Sequence, residues 1–176
     1  LTIPDNVVDW ILIHLRDAPG DATTATPDKT IATRAGFLLK DGSVKDMDGI
    51  TNLEFPVSIN DNLYVVVYHR NHISAISANP IPLFNGTGFY NFSSGTNKVL
   101  GGSTGHKEIS AGIWGLAAGD SNGDGTIDVL DKQNDWELLV GSLGYVSSDF
   151  SLDSQIDNLD KNDFWEQNVG FTSQVP

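Results

Sequence analysis

The sequence predicts a mainly β chain: an antiparallel sandwich followed by a small, strongly acidic unit with two short helices. Three observations lead there. Short runs of β-branched and aromatic residues alternate with Gly, Asp and Asn turns through the first two thirds of the chain. Helical spacing is confined to two stretches near the C-terminal end, and the negative charge is concentrated in that same end. With 176 residues, 39% of them hydrophobic, the chain can bury a core.

The predicted strands are "VVDWILIHL" (Val7 to Leu15), "IATRAGFLL" (Ile31 to Leu39), "LEFPVSI" (Leu53 to Ile59), "LYVVVYHR" (Leu63 to Arg70) and "ISAISA" (Ile73 to Ala78). Asp41-Gly42, Asp48-Gly49 and Asn60-Asp61 punctuate them as turns. "GFYNF" near Tyr90 and "KEISAGIWG" near Ile109 complete the set. Seven or eight strands at this spacing, with no long helical period between them, predict an antiparallel, Ig-like β-sandwich over residues 1–117.

A second unit, residues 118–176, is set apart by charge. Between Gly119 and Gly170 there are twelve acidic residues against Lys132 and Lys161, a net of −10 out of −13 for the whole chain. Such a balance argues against nucleic acid or anionic lipid as a partner and for cations. This unit is also a repeat: "DSNGDGTIDVLDKQNDW" (Asp120 to Trp136) overlays "DFSLDSQIDNLDKNDFW" (Asp149 to Trp165). Asp120, Ile127, Asp131, Trp136 and Gly141 recur as Asp149, Ile156, Asp160, Trp165 and Gly170, all at an offset of 29.

Like charges are crowded here because a divalent cation is expected among them. Ca²⁺ takes roughly six to eight oxygen ligands, which a twelve-residue loop supplies from places 1, 3, 5, 7, 9 and 12 around a glycine turn at place 6. In loop 1 those places hold Asp120, Asn122, Asp124, Thr126 (through its carbonyl), Asp128 and Asp131, with Gly125 at the turn. Loop 2 offers Asp149, Ser151, Asp153, Gln155, Asp157 and Asp160, but has Ser154 at the turn. Two calcium sites are therefore expected, the first stronger than the second. Ile127 and Ile156, at place 8, are expected to pair and tie the loops together. Each helix should start within its loop and stop at Gly141 or Gly170, with Trp136 and Trp165 as packing residues.

The string "GDSNGDGTIDVLD", a following helix and a second, degenerate copy resemble the duplicated calcium loops of dockerins. In that family the twelfth ligand is Asp and the helix entering a true EF-hand is absent. The longer frame, with "VVDWILIHLRD", "FLLKDGSVKDMDG", "VVVYHRNHISAIS", "GIWGLAAGD" and "SQVP", is similar to a C-terminal region of large secreted and surface proteins of Bacteroidetes-type bacteria. That resemblance implies export and a non-catalytic module. Places 10 and 11 depart from cohesin-binding dockerins: Val129-Leu130 and Asn158-Leu159 stand where small hydroxyl residues are typical.

Other chemistry is sparse. The absence of Cys excludes disulfides and thiolate sites, and no apolar run approaches the roughly 20 residues that span a bilayer, so membrane insertion is not expected. His69 and His72 should diverge from a strand, His14 alternates with Trp10 and Leu12, and His106 lies in the flexible-looking "GGSTGHKE". No G-x-S-x-G elbow and no carboxylate pair suited to glycoside cleavage stand out, so no enzymatic activity is expected. The chain starts at Leu1 without Met or leader and reads as a mature or excised segment of an extracellular or cell-surface protein. The expected role is structural or in assembly, with other protein subunits, a surface protein or a second copy as partner. A terminal strand such as "LTIPDNVVDWILIHL" would add to a sheet edge. The alternatives are a carbohydrate-binding module using Tyr64, Tyr68, Phe89, Tyr90 and Phe92 on a glycan, and a dockerin-type docking module holding a receptor domain.

Overall fold

A computed structural model describes residues 3–176; Leu1 and Thr2, the start of the expected terminal strand, lie outside the described residues. The chain is mainly β, with antiparallel sheets and two short helical runs. It divides into two compact units. The first holds the described residues up to His69, Ile76–Tyr90 and Val175–Pro176; the second holds Arg70–Ala75 and Asn91–Gln174.

Five strands form one sheet: β1 Val7–Ala18, β2 Thr30–Leu39, β3 Val44–Lys45, β4 Asn62–His69 and β5 His72–Ile76, in the order β3-β2-β1-β4-β5. β1 sits inside the sheet, paired with β2 on one side and β4 on the other, with Ile11, Ile13 and Leu15 buried on one face, so Val7 to Leu15 is not the free strand expected to add to a sheet edge. Antiparallel pairing places Ile13 opposite Arg34 of β2 and Val67 of β4. The Asp41-Gly42 turn joins β2 to β3, with Gly42 at a φ of 80° that a side chain would resist. In the first unit Ile11, Ile13, Leu15, Leu63 and Ile81 form the core.

One expected strand is not a strand. Leu53 to Ile59 runs without ladder partners, yet Leu53, Phe55, Val57 and Ile59 all pack on that core. Pro56 has no N–H to give to a ladder, so the segment keeps the alternation of a strand without its pairing. "GFYNF" is likewise mostly unpaired: Gly88 closes the small hairpin of β6 (Leu83–Phe84) and β7 (Thr87–Gly88), and Phe92 opens a 3₁₀ turn. "KEISAGIWG", expected as one strand, is a two-stranded hairpin instead, β8 (Lys107–Ser110) with β9 (Ile113–Gly115), turning at Gly112.

Two further clusters organise the second unit. Ile73, Ala117 and Ile127 pack with Trp165 and Phe171, while Ala118, Trp136, Phe150 and Ile156 pack with Val146, Phe164 and Trp165. Its first helical run, 129–139, is α-helical at Val129–Asp131, π-helical through Lys132–Trp136 and α-helical again at Glu137–Leu139. The second run repeats the pattern, π-helical through Asp160–Trp165 and α-helical at Glu166–Asn168. Gly141 and Gly170 end the two runs in the left-handed region, at φ of 88° and 96°. Among the described residues no helix is long and apolar enough to cross a membrane.

Candidate metal centre

The two acidic loops have one backbone. Place 4 is left-handed in both (Gly123 at 73°, Leu152 at 63°), and so is place 6 (Gly125 at 84°, Ser154 at 69°). Ser154 holds without glycine a conformation that costs an L-residue roughly 1 kcal/mol or more. What holds it is shared with loop 1: the place 1 carboxylate accepts the place 6 N–H at 3.1 Å in each loop, Gly125 to Asp120 Oδ2 and Ser154 to Asp149 Oδ2.

Other hydrogen bonds repeat with the same offset. Asp128 N–H donates to Asp131 Oδ2 at 2.8 Å and Asp157 N–H to Asp160 Oδ2 at 2.9 Å. Leu130 N–H and Leu159 N–H cap onto Asp128 Oδ1 and Asp157 Oδ1, both at 2.7 Å. Each place 9 aspartate thus starts its helix, and each place 12 aspartate closes the capping box from inside the loop. Thr126 N–H and Gln155 N–H donate to Asp124 Oδ1 and Asp153 Oδ1.

The predicted ligands divide by depth. Asp120, Asp131, Asp149 and Asp160 are buried, while Asn122, Asp124, Asp153, Gln155 and Asp157 stay exposed; Thr126, Asp128 and Ser151 are half-buried. Among the described residues no group of three or more His, Asp or Glu side chains stands gathered as a ready-made cage. The carboxylates turn instead to N–H groups of their own loops. A carboxylate has about four lone-pair positions, so these bonds leave acceptor capacity on each.

Loop 1 nonetheless carries an imbalance. Asp120 is 4% exposed, and its Oδ1 is buried with no hydrogen-bond partner. Burial, with Asp131 and Asp124 adding like charge, pushes its carboxyl up to about 6. Burial raises Asp131 as well, against the N–H groups of Asp128, Asn122 and Ser121 that its oxygens accept. A buried carboxylate oxygen without a donor, in a set of hard oxygen atoms, fits a hard divalent cation.

Loop 2 resolves the same problem differently. Asp149 Oδ1 accepts from Asp153 N–H at 3.1 Å and Ser151 Oγ at 3.4 Å, and Arg70 Nη2 lies 3.5 Å from Oδ2. Asn71, fully buried, spans both loops: its Nδ2 donates to Asp149 O at 2.6 Å, and its carbonyl accepts from Asp120 N–H at 3.2 Å and Gly119 N–H at 2.9 Å. Neither Arg70 nor Asn71 stands out in sequence, because Arg70 reads as the end of the strand Leu63 to Arg70 and the contacts with Asp149 lie 79 and 78 residues away.

The repeats are cross-wired rather than side by side. Trp136 Nε1 donates to Asp157 O and Trp165 Nε1 to Asp128 O, each at 2.9 Å. Lys132 and Lys161 stand 5.9 and 5.7 Å from the centres of the opposite indoles, Trp165 and Trp136. The expected pairing of Ile127 with Ile156 does not occur, since the backbone groups of each are taken by the tail of the other repeat. Ile127 bonds Phe171 O and Gly170 N–H, and Ile156 bonds Ser142 O and Gly141 N–H. Both isoleucines are buried, but in separate clusters.

The histidines have other partners. His69 Nε2 lies 3.1 Å from the buried Asp9 Oδ2, and His72 Nδ1 lies 2.8 Å from Asn71 Oδ1. His106 is buried beside Trp114 rather than lying free in a loop, and burial lowers its pKa. Of the aromatics considered for glycan stacking, Tyr64 is buried with its hydroxyl on Gly20 O at 2.8 Å, whereas Phe89 is exposed. No family model, curated protein or solved structure matches the chain.

Proposed function

We propose that the chain is a non-catalytic, extracellular calcium-binding module, in which an Ig-like β-sandwich carries a dockerin-like pair of loops. Its role is structural: subunit association, or anchoring within a secreted or surface protein. The buried Asp120 carboxylate carries this reading, because its Oδ1 lacks a donor inside a loop whose other functional groups are hard oxygen atoms. Two divalent ions would offset four of the ten excess negative charges between Gly119 and Gly170, so binding would add to folding free energy. Calcium near the millimolar concentrations found outside cells would fill even a modest site, which supports an exported location.

Docking to a receptor domain is the second reading. Val129, Leu130 and Leu159, at places 10 and 11, are 49%, 43% and 42% exposed, leaving apolar side chains at the start of both helices.

Calorimetric titration of demetallated protein with calcium tests the main reading. Two steps are expected, with a melting temperature about 5 to 10 °C higher at a hundredfold excess over the tighter dissociation constant than in chelator. Sedimentation across a concentration series, with and without calcium, reports the assembly role. No heat, together with identical melting in both conditions, would overturn calcium binding.

A further inference from the structure

Arg70 has an unusual position for a cation in a unit so rich in acid. Its side chain is 13% exposed. The guanidinium stacks 4.0 Å from the centre of the Tyr145 ring, donates to Val146 O and approaches Asp149 Oδ2 at 3.5 Å. Every one of these contacts falls on the segment that leads into loop 2 or on its first ligand. A guanidinium stays charged at any working pH, so the positive charge beside Asp149 is permanent.

At the matching place of loop 1 nothing comparable exists. Among the described residues Asp120 has no ion pair, and its buried Oδ1 has no hydrogen-bond partner. The loops share backbone, turn and cap; around the first carboxylate loop 2 differs by Arg70 and by the donors Asp153 N–H and Ser151 Oγ, and Arg70 alone of these brings a charge.

We propose that Arg70 is a resident counter-cation for loop 2: it holds that loop closed without metal and sets its calcium affinity below that of loop 1. The inference rests on the calcium reading and adds the residue that ranks the two sites. Its physical basis is Coulombic. A fixed positive charge next to the first carboxylate neutralises part of what would attract a divalent ion, and it repels the ion itself. The same charge stabilises the loop when no ion is bound. Arg70 is thus a positioning and affinity-setting residue that does not itself bind the metal.

The experiment is calorimetric titration of the full, demetallated chain with calcium, paired with melting in chelator, for wild type, Arg70→Met and Arg70→Lys. Arg70→Met should tighten the second step about tenfold and leave the first unchanged, while melting at a lower temperature than wild type in chelator. Arg70→Lys keeps the charge and should titrate like wild type. If wild type shows one step only, Arg70→Met should acquire the second. Should Arg70→Met be too unstable to titrate, Arg70→Gln removes the charge but keeps a donor for Val146 O, and the same tightening is expected. A second step that is unchanged or weaker in the charge-free variants overturns the proposal while leaving calcium binding intact. A wild type that takes up no calcium overturns the calcium reading instead.

Discussion

Loop 1 and loop 2 are close to a controlled experiment. They agree in the left-handed places 4 and 6, in the place 1 to place 6 hydrogen bond, in the helix cap and in the cross-wired indole. They differ in what surrounds the first carboxylate. Asp120 keeps an oxygen with no donor, whereas Asp149 has both oxygens engaged and Arg70 beside it. A shared backbone therefore leaves the two first carboxylates in different surroundings, and the calcium proposal turns on that difference.

The largest effects should come from removing charge at place 1. Asp149→Asn removes the buried carboxylate that Arg70 approaches in loop 2 and should cost about 3 kcal/mol in chelator. Asp120→Asn should leave melting in chelator unchanged or raise it, since it removes a buried charge lacking compensation, yet abolish the tighter calcium step. Denaturation of both variants in calcium and in chelator reads this directly, and identical behaviour of the two would break the comparison.

A smaller effect is expected from pH. The Asp120 carboxyl is raised to about 6, so the folded chain binds this proton more tightly than the unfolded chain does. Its contribution is fully present below the unfolded value of 3.8 and is lost as pH rises through about 6. His14 and His106, both lowered by burial, slope the other way near their unfolded value of 6.5. The clean reading is therefore the difference between wild type and Asp120→Asn in chelator. That difference should move against wild type by on the order of 2 kcal/mol from pH 4 to pH 7. A flat difference would remove the imbalance attributed to loop 1.

The smallest effect sharpens the comparison further. Trp165→Phe deletes the donor to Asp128 O in loop 1, and Trp136→Phe the donor to Asp157 O in loop 2. Each should cost about 1 kcal/mol and weaken calcium binding mainly at the loop of the other repeat. If each variant weakens its own repeat's loop, the cross-wiring does not carry the energy.

Local features were legible in the sequence, and long-range ones were not. Gly125, Gly141 and Gly170 were read correctly as left-handed positions, because a turn or a helix end needs a residue without a Cβ there. The Asp41-Gly42 turn was legible, but the short β3 after it was not, and "KEISAGIWG" reads as one strand where Gly112 folds it into the β8–β9 hairpin. Leu53 to Ile59 misled because it alternates like a strand and buries one face, while Pro56 denies it a ladder. The roles of Arg70 and Asn71 had no signal at all, since each depends on a segment folded back from more than seventy residues away. The tail pairing that replaces Ile127 with Ile156 was hidden for a related reason: the motif defines each loop but is silent about what closes over it.

That closure is reciprocal. Thr126 bridges to Thr172, and Gln155 bridges to Leu143, so each half supplies the lid of the other. Neither repeat closes its own loop, since the main-chain partners of Ile127 and Ile156 come from the other copy. A chain shortened before Gly170 would keep every side chain assigned to the first loop and still leave the main-chain groups of Ile127 bare. A peptide spanning a single copy should therefore be less ordered than the duplicated unit, which circular dichroism of the two would show.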